Sequence, residues 1–97
     1  MRVVRVGICG WGNVATGMFK AIADNKTIIE AAGVKINIDC IGARRDNPKC
    51  NPGSVKILRD IFDVPNQDID VVIELIGGVD VARELILKSI RQGKHVI

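Results

Sequence analysis

The sequence predicts an α/β fold, an open parallel sheet with helices on both faces. Two observations carry this. Apolar runs rich in β-branched residues alternate with segments of helical periodicity, an order that implies parallel strands joined by right-handed crossovers. A cluster of glycines, in "GICGWGNVATG", stands where the first apolar run hands over to the first helical segment.

Each element follows from its local pattern. Arg2–Cys9, "RVVRVGIC", reads as a buried strand. The glycine turn Gly10–Gly12 comes next, and a helix begins near Asn13, a good N-cap type. Val14, Met18, Ala21 and Ile22 form its expected apolar face. The helical pattern runs on through "KTIIEAA" with a break near Asp24–Asn25, and Gly33 stops it. Val34–Ala43 is the second strand, with Ile36, Ile38 and Cys40 on one face and Asn37, Asp39 and Ile41 on the other. "RRDNPKCNPGS" is a loop. A short strand is expected at Val55–Leu58, followed by one helical turn. Ile69–Ile76 is a strong strand broken by Gly77–Gly78. Val79–Gln92 is a helix with Val79, Ala82, Leu85, Ile86, Ser89 and Ile90 on its apolar face. Gly93 caps that helix and "KHVI" opens a further strand. An apolar strand at the C-terminus leads to the expectation that the sheet is truncated, residues 1–97 being the N-terminal part of a larger domain.

Composition narrows the function classes. The 97 residues are 47% hydrophobic and 26% charged, the balance of one small globular domain rather than a disordered tail. No apolar run approaches the roughly 18 residues of a membrane span, and no signal peptide is read, so the expected partners include no membrane and the expected compartment is cytoplasmic. The net charge is +3, but the basic residues are scattered and the aromatics are only Trp11, Phe19 and Phe62. That is a poor stacking platform, and no nucleic acid is expected. Three cysteines without a CxxC pair give neither a disulfide framework nor a metal site. Cys9 and Cys40 read as small buried hydrophobes, Cys50 as an exposed loop residue. Glu74 lies inside a strand and is expected to bond locally; His95, the single histidine, reads as structural.

The glycine turn carries the chemistry. Gly10-Trp11-Gly12-Asn13-Val14-Ala15 fits G-x-G-x-x-G/A, following a strand and opening a helix, the context of a dinucleotide-binding Rossmann-type domain. Gly10 makes the sharp turn. Gly12 lets a diphosphate approach the backbone, and Ala15 lets the helix lie close to the first strand. Free amides at the helix start favour an anion. A tight turn packed for its own sake is the plain alternative. Trp11 either covers the phosphates or extends into solvent.

The end of the second strand chooses the coenzyme. An acidic residue there would bond the ribose 2′-OH of NAD. Here the sequence is "GARRD", with Arg44 and Arg45 at the position and Asp46 slightly late. Two guanidiniums suit a 2′-phosphate, so NADP is favoured, with NAD possible. Lys56 is a further basic candidate if the short third strand lies alongside. Gly77 and Gly78 end a strand expected beside the first, at the topological switch point, where backbone meets the nicotinamide side.

Together "VGICGWGNVATG", "GARRDNPKC" and "DIDVVIELIGGVDVARELILKSIRQGKHVI" resemble the N-terminal part of homoserine dehydrogenase, bacterial type. The resemblance implies an oxidoreductase that reversibly reduces L-aspartate 4-semialdehyde to L-homoserine with a nicotinamide dinucleotide, on the route to threonine and methionine. It implies a homo-oligomer at full length, with a substrate domain and catalytic residues absent from this chain, which alone is expected to be inactive. By position it assigns Gly10, Gly12, Asn13 and Val14 to the diphosphate and ribose, Arg44 to the basic NADP position, and Gly77 and Gly78 to the nicotinamide side. Ala15 replaces the family's usual glycine, and Asn13 stands where threonine is frequent. Two alternatives stay open: the nucleotide-binding half of another amino-acid dehydrogenase, and a non-catalytic NAD(P)-sensing module.

Overall fold

The computed structural model describes residues Met1–Ile97. Five strands, β1 (Arg2–Cys9), β2 (Val34–Gly42), β3 (Lys56–Leu58), β4 (Val71–Glu74) and β5 (His95–Val96), form one sheet in the order β3-β2-β1-β4-β5. All neighbouring pairs are parallel. The helices are α1 (Asn13–Asp24), α2 (Lys26–Ala31) and α3 (Val79–Arg91), and a 3-10 segment spans Ile61–Asn66. The strand order runs outward from β1 in both directions, so β1 and β4 flank the point where the chain switches sides.

The two faces of the sheet are sealed differently. On one, Val6, Ile8, Ile41 and Ile73 pack under α1 through Ala15, with Met18 and Phe19 beside them. On the other, Cys9, Cys40 and Val72 pack against Val64 and Leu85. Here the chain between β3 and β4 makes only the short 3-10 segment, and that segment must sit very close. Val64 is fully buried. A Cβ on Gly7 would lie 2.6 Å from its Cγ1, and one on Gly42 would lie 2.9 Å from its Cγ2. Two adjacent strands thus carry bare backbone where one valine presses on both.

The structure rearranges three expected faces. In β2 the register shifts between Val6 and Gly7 of β1: Val6 pairs Ile38, but Gly7 pairs Cys40. Asp39 is the extra residue of a bulge, and its carboxylate accepts from Asn37 Nδ2 at 2.7 Å. Beyond it the alternation inverts. Cys40 therefore joins the Val64 face, and Ile41 joins Ile36 and Ile38 on the α1 face. In α1 Ala15 and Thr16 are buried and Met18, Phe19 and Ile22 partly so, while Val14 is 68% exposed and Ala21 is exposed. This face is set by Ala15 pressing on β1, not by the largest aliphatic side chains. In α3 Leu85 and Ser89 are buried with Ala82 and Ile86 partly so, but Val79 and Ile90 are exposed.

Gly7→Ala is expected to destabilise the fold by about 1–3 kcal/mol, because the stiff Val64 methyl cannot yield to the new carbon. Gly17, in exposed helix with nothing within 4 Å of its Cβ position, provides the opposite case. Gly17→Ala is expected to add about 0.5–1 kcal/mol. Urea unfolding of the two variants checks both signs.

Candidate dinucleotide site

The carboxyl ends of β1, β2 and β4 converge on a cavity of about 730 Å3. Its position follows from how the three ends are tied. The Gly10 amide donates to Gly42 O at 2.8 Å, and the Leu75 amide donates to Cys9 O at 2.8 Å. Gly10 has φ +106°, a conformation that side chains rarely adopt, and a Cβ there would stand 2.7 Å from Leu75 O. The chain then leaves the sheet and starts α1, whose N-cap is Gly12. Asn13 is the first helical residue instead, and its side chain makes no cap bond.

The helix start supplies donors and space together. The first internal bond runs from the Thr16 amide to Gly12 O at 3.0 Å. The four amides ahead of it, Gly12 to Ala15, have no helical acceptor. Gly12 is exposed, with nothing within 4 Å of the place a Cβ would take. Thr16 Oγ1 donates back to Gly12 O at 3.0 Å. A diphosphate bridge fits this arrangement: bare backbone, unpaired N–H groups and the positive end of a helix dipole.

Of the residues singled out from the sequence, Gly10, Trp11, Gly12, Arg44, Arg45 and Gly77 line the cavity. Asn13 and Val14 lie exposed at the rim of the turn, and Ala15 is buried against β1. Gly78, at φ +91°, is the N-cap of α3 and lines a separate shallow apolar groove with Val79, Ala82 and Ile86. Trp11 lines the cavity wall and does not extend into solvent. It is 8% exposed, edge-on to Phe19 with ring centroids 5.3 Å apart. Lys56 pairs with β2 through its backbone, but its Nζ donates to Gln67 Oε1 at 2.8 Å, away from the cavity. Glu74 bonds locally, accepting from the Ile76 amide at 2.8 Å. The His95 side chain is exposed.

Cys50 corrects an expectation. It is buried, not exposed, packed in the α1-side core with Trp11, Ala15 and Ala43. The polar loop folds back over the sheet because Asn47 Nδ2 donates to Trp11 O at 3.1 Å. Asn47 and Asp46 also line the cavity, and no local pattern marks Asn47 in the chain. Apolar Ile61, Leu75, Ile76 and Val81 complete the lining. Asp46 is the one acidic residue there, beside Arg44 and Arg45.

This is the geometry of a Rossmann-type nicotinamide dinucleotide-binding domain, and the comparisons with known proteins agree. Residues 10–97 match the family model for the NAD-binding domain of homoserine dehydrogenase. The chain belongs to that family. It is 52% identical over its whole length to homoserine dehydrogenase of Pseudomonas aeruginosa and 37% identical to that of Methylobacillus glycogenes. It covers 23% and 24% of those proteins, so it spans about a quarter of the curated relatives it matches. Its structure is similar to homoserine dehydrogenase of Staphylococcus aureus (TM-score 0.87, 25% identity, 99% of this chain and 26% of that one). It is likewise similar to that of Thiobacillus denitrificans (TM-score 0.86, 35% identity, 98% of this chain and 23% of that one). No helix is long and apolar enough to cross a membrane.

Beneath the site two thiols are held neutral. Burial, with the nearby Cys40 and Glu74 adding to it, pushes Cys9 up to about 12; burial, then Asp39, pushes Cys40 up to about 11. An unfolded thiol ionises near its ordinary 9.0. Above that pH the folded chain holds more protons than the unfolded one, so stability must fall as pH rises. Urea midpoints are expected to drop between pH 9 and pH 11, and the drop is expected to shrink in Cys9→Ala relative to wild type.

Proposed function

We propose that this chain is the coenzyme-binding part of a homoserine dehydrogenase that reversibly reduces L-aspartate 4-semialdehyde to L-homoserine, with NADP preferred over NAD. The observation that carries the reading is one cavity lined both by the open backbone at Gly10–Gly12 and by Arg44 and Arg45. The bound coenzyme supplies the hydride; the protein supplies position and electrostatics. Gly12 and the α1 amides hold the diphosphate. Arg44, nearest the end of β2, and Arg45 meet a 2′-phosphate with charge-assisted hydrogen bonds. The bare backbone at Gly77 lets the nicotinamide side lie against the end of β4. Under this reading the semialdehyde meets the coenzyme beyond Gly77, on parts of the enzyme outside this chain, and the full-length protein works as a homo-oligomer. The reaction then belongs to the cytoplasm and to the route toward threonine and methionine.

Calorimetric titration of the protein carrying this sequence with NADPH and NADH tests the reading. Wild type is expected to bind NADPH more tightly. Gly12→Val is expected to weaken both coenzymes by about tenfold or more, since its side chain fills the diphosphate's approach. Arg44→Asp is expected to weaken NADPH by about tenfold to a hundredfold and leave NADH nearly unchanged. Failure of wild type to bind either coenzyme overturns the reading. A preference for NADH that Arg44→Asp leaves untouched overturns the choice of coenzyme.

A further inference from the structure

The cavity wall carries groups suited to opposite ligands. Arg44 and Arg45 suit a phosphate on the adenosine ribose; Asp46, on the same wall, suits a free ribose diol and repels a phosphate. Sequence position alone puts Asp46 beyond the strand end, yet the structure brings it to the cavity. Arg59, the residue after β3, reaches across to it. Its Nη2 donates to Asp46 Oδ1 at 2.7 Å, and its Nη1 donates to Ala43 O at 3.4 Å. One guanidinium therefore bridges the backbone at the end of β2 and the cavity's only carboxylate.

We propose that Arg59 is a specificity-determining positioning residue: it holds the Asp46 carboxylate against itself, so that the wall beside Arg44 and Arg45 accepts a 2′-phosphorylated dinucleotide. This rests on the dinucleotide reading above and deepens it. The pair is not there for stability. The Asp46 and Arg59 side chains are 82% and 55% exposed, and ion pairs so exposed contribute little to folding. Its consequence is local. With Arg59 in place, the carboxylate's charge is countered and one of its oxygens, Oδ1, is engaged. Without it, both oxygens of Asp46 are open to a ribose 2′-hydroxyl, and the uncompensated charge stands against a 2′-phosphate. Arg59 thus decides which of the two chemistries already built into the wall is expressed. The β2–β3 pairing is what makes this possible, since Gly42 pairs with Leu58 and so sets Arg59 beside Ala43.

The test is a binding cycle on the protein carrying this sequence, with NADPH and NADH titrated into wild type, Arg59→Met, Asp46→Asn and the double variant. Arg59→Met is expected to shift the NADPH-to-NADH affinity ratio by about threefold to fivefold toward NADH. Asp46→Asn alone is expected to keep the ratio at or above the wild-type value. The double variant is expected to regain a ratio within about twofold of wild type. An unchanged ratio in Arg59→Met overturns the proposal. So does a double variant as shifted as Arg59→Met, because Arg59 would then act by touching the phosphate itself and not by restraining Asp46. Wild type that binds neither coenzyme sinks the dinucleotide reading first, and this outcome is distinct from the other two.

Discussion

The structure turns on how closely three strand ends approach one another at Gly10. β2 and β4 flank β1, and each is tied to its end by a 2.8 Å backbone hydrogen bond, one at the Gly10 amide and one at Cys9 O. Between those bonds the chain must reverse at φ +106° with Leu75 O almost on top of it. Only a residue without Cβ satisfies both demands. A strained left-handed backbone alone costs on the order of 1–3 kcal/mol for other residues, before the clash with Leu75 O is added. Everything functional lies downstream of that turn. It aims the start of α1 over the strand ends, exposes Gly12 and opens the cavity on the carboxyl edge of the sheet, where open α/β sheets take their ligands.

A second close approach supports the first from the opposite face. Val64 lies over Gly7 and Gly42, so the 3-10 segment seals a face that a longer helix would otherwise cover. The same segment places Ile61 in the cavity lining while keeping it buried. Packing on that face and the floor of the site are therefore one structure. Above them the 44–50 loop is held by three side-chain contacts to other elements, Asn47 to the glycine turn, Arg59 to Asp46 and Lys20 of α1 to Lys49 O. The glycine turn and the cavity wall at Arg44–Asn47 are fixed relative to each other through Trp11, whose carbonyl takes the Asn47 bond while its ring fills the core beside Phe19.

Much of this was legible in the sequence because it depends on local constraints. β-Branched runs gave β1 and β2 nearly to the residue, the Asp24–Asn25 break separates α1 from α2, and the glycine pattern marked the turn. The strand expected at Ile69–Ile76 does lie beside β1, but only as the shorter Val71–Glu74. What escaped depends on tertiary neighbours. The bulge at Asp39 is a register event between two strands, and it moves Cys40 and Ile41 to unexpected faces without leaving a mark in the alternation of β2 alone. Trp11 and Cys50 sit in polar, turn-rich stretches, and only the folded loop reveals that they share a core. Arg59 is sixteen residues from Ala43 in the chain but within reach of its carbonyl, because β3 pairs with β2. Membership of the homoserine dehydrogenase family, by contrast, was carried by motifs spread along the whole chain, and the family model matches across them.

A diphosphate seated on the main-chain amides at the start of α1 would perturb those amides directly. Amide proton and nitrogen shifts, followed by NMR during titration with NADPH, address it atom by atom. Such seating gives saturable changes that are largest at Gly12, Asn13, Val14 and Ala15, with a second group at Arg44 to Asn47. Saturating coenzyme that leaves the Gly12–Ala15 amides unmoved, or moves only residues on the exposed face of α3, would contradict it.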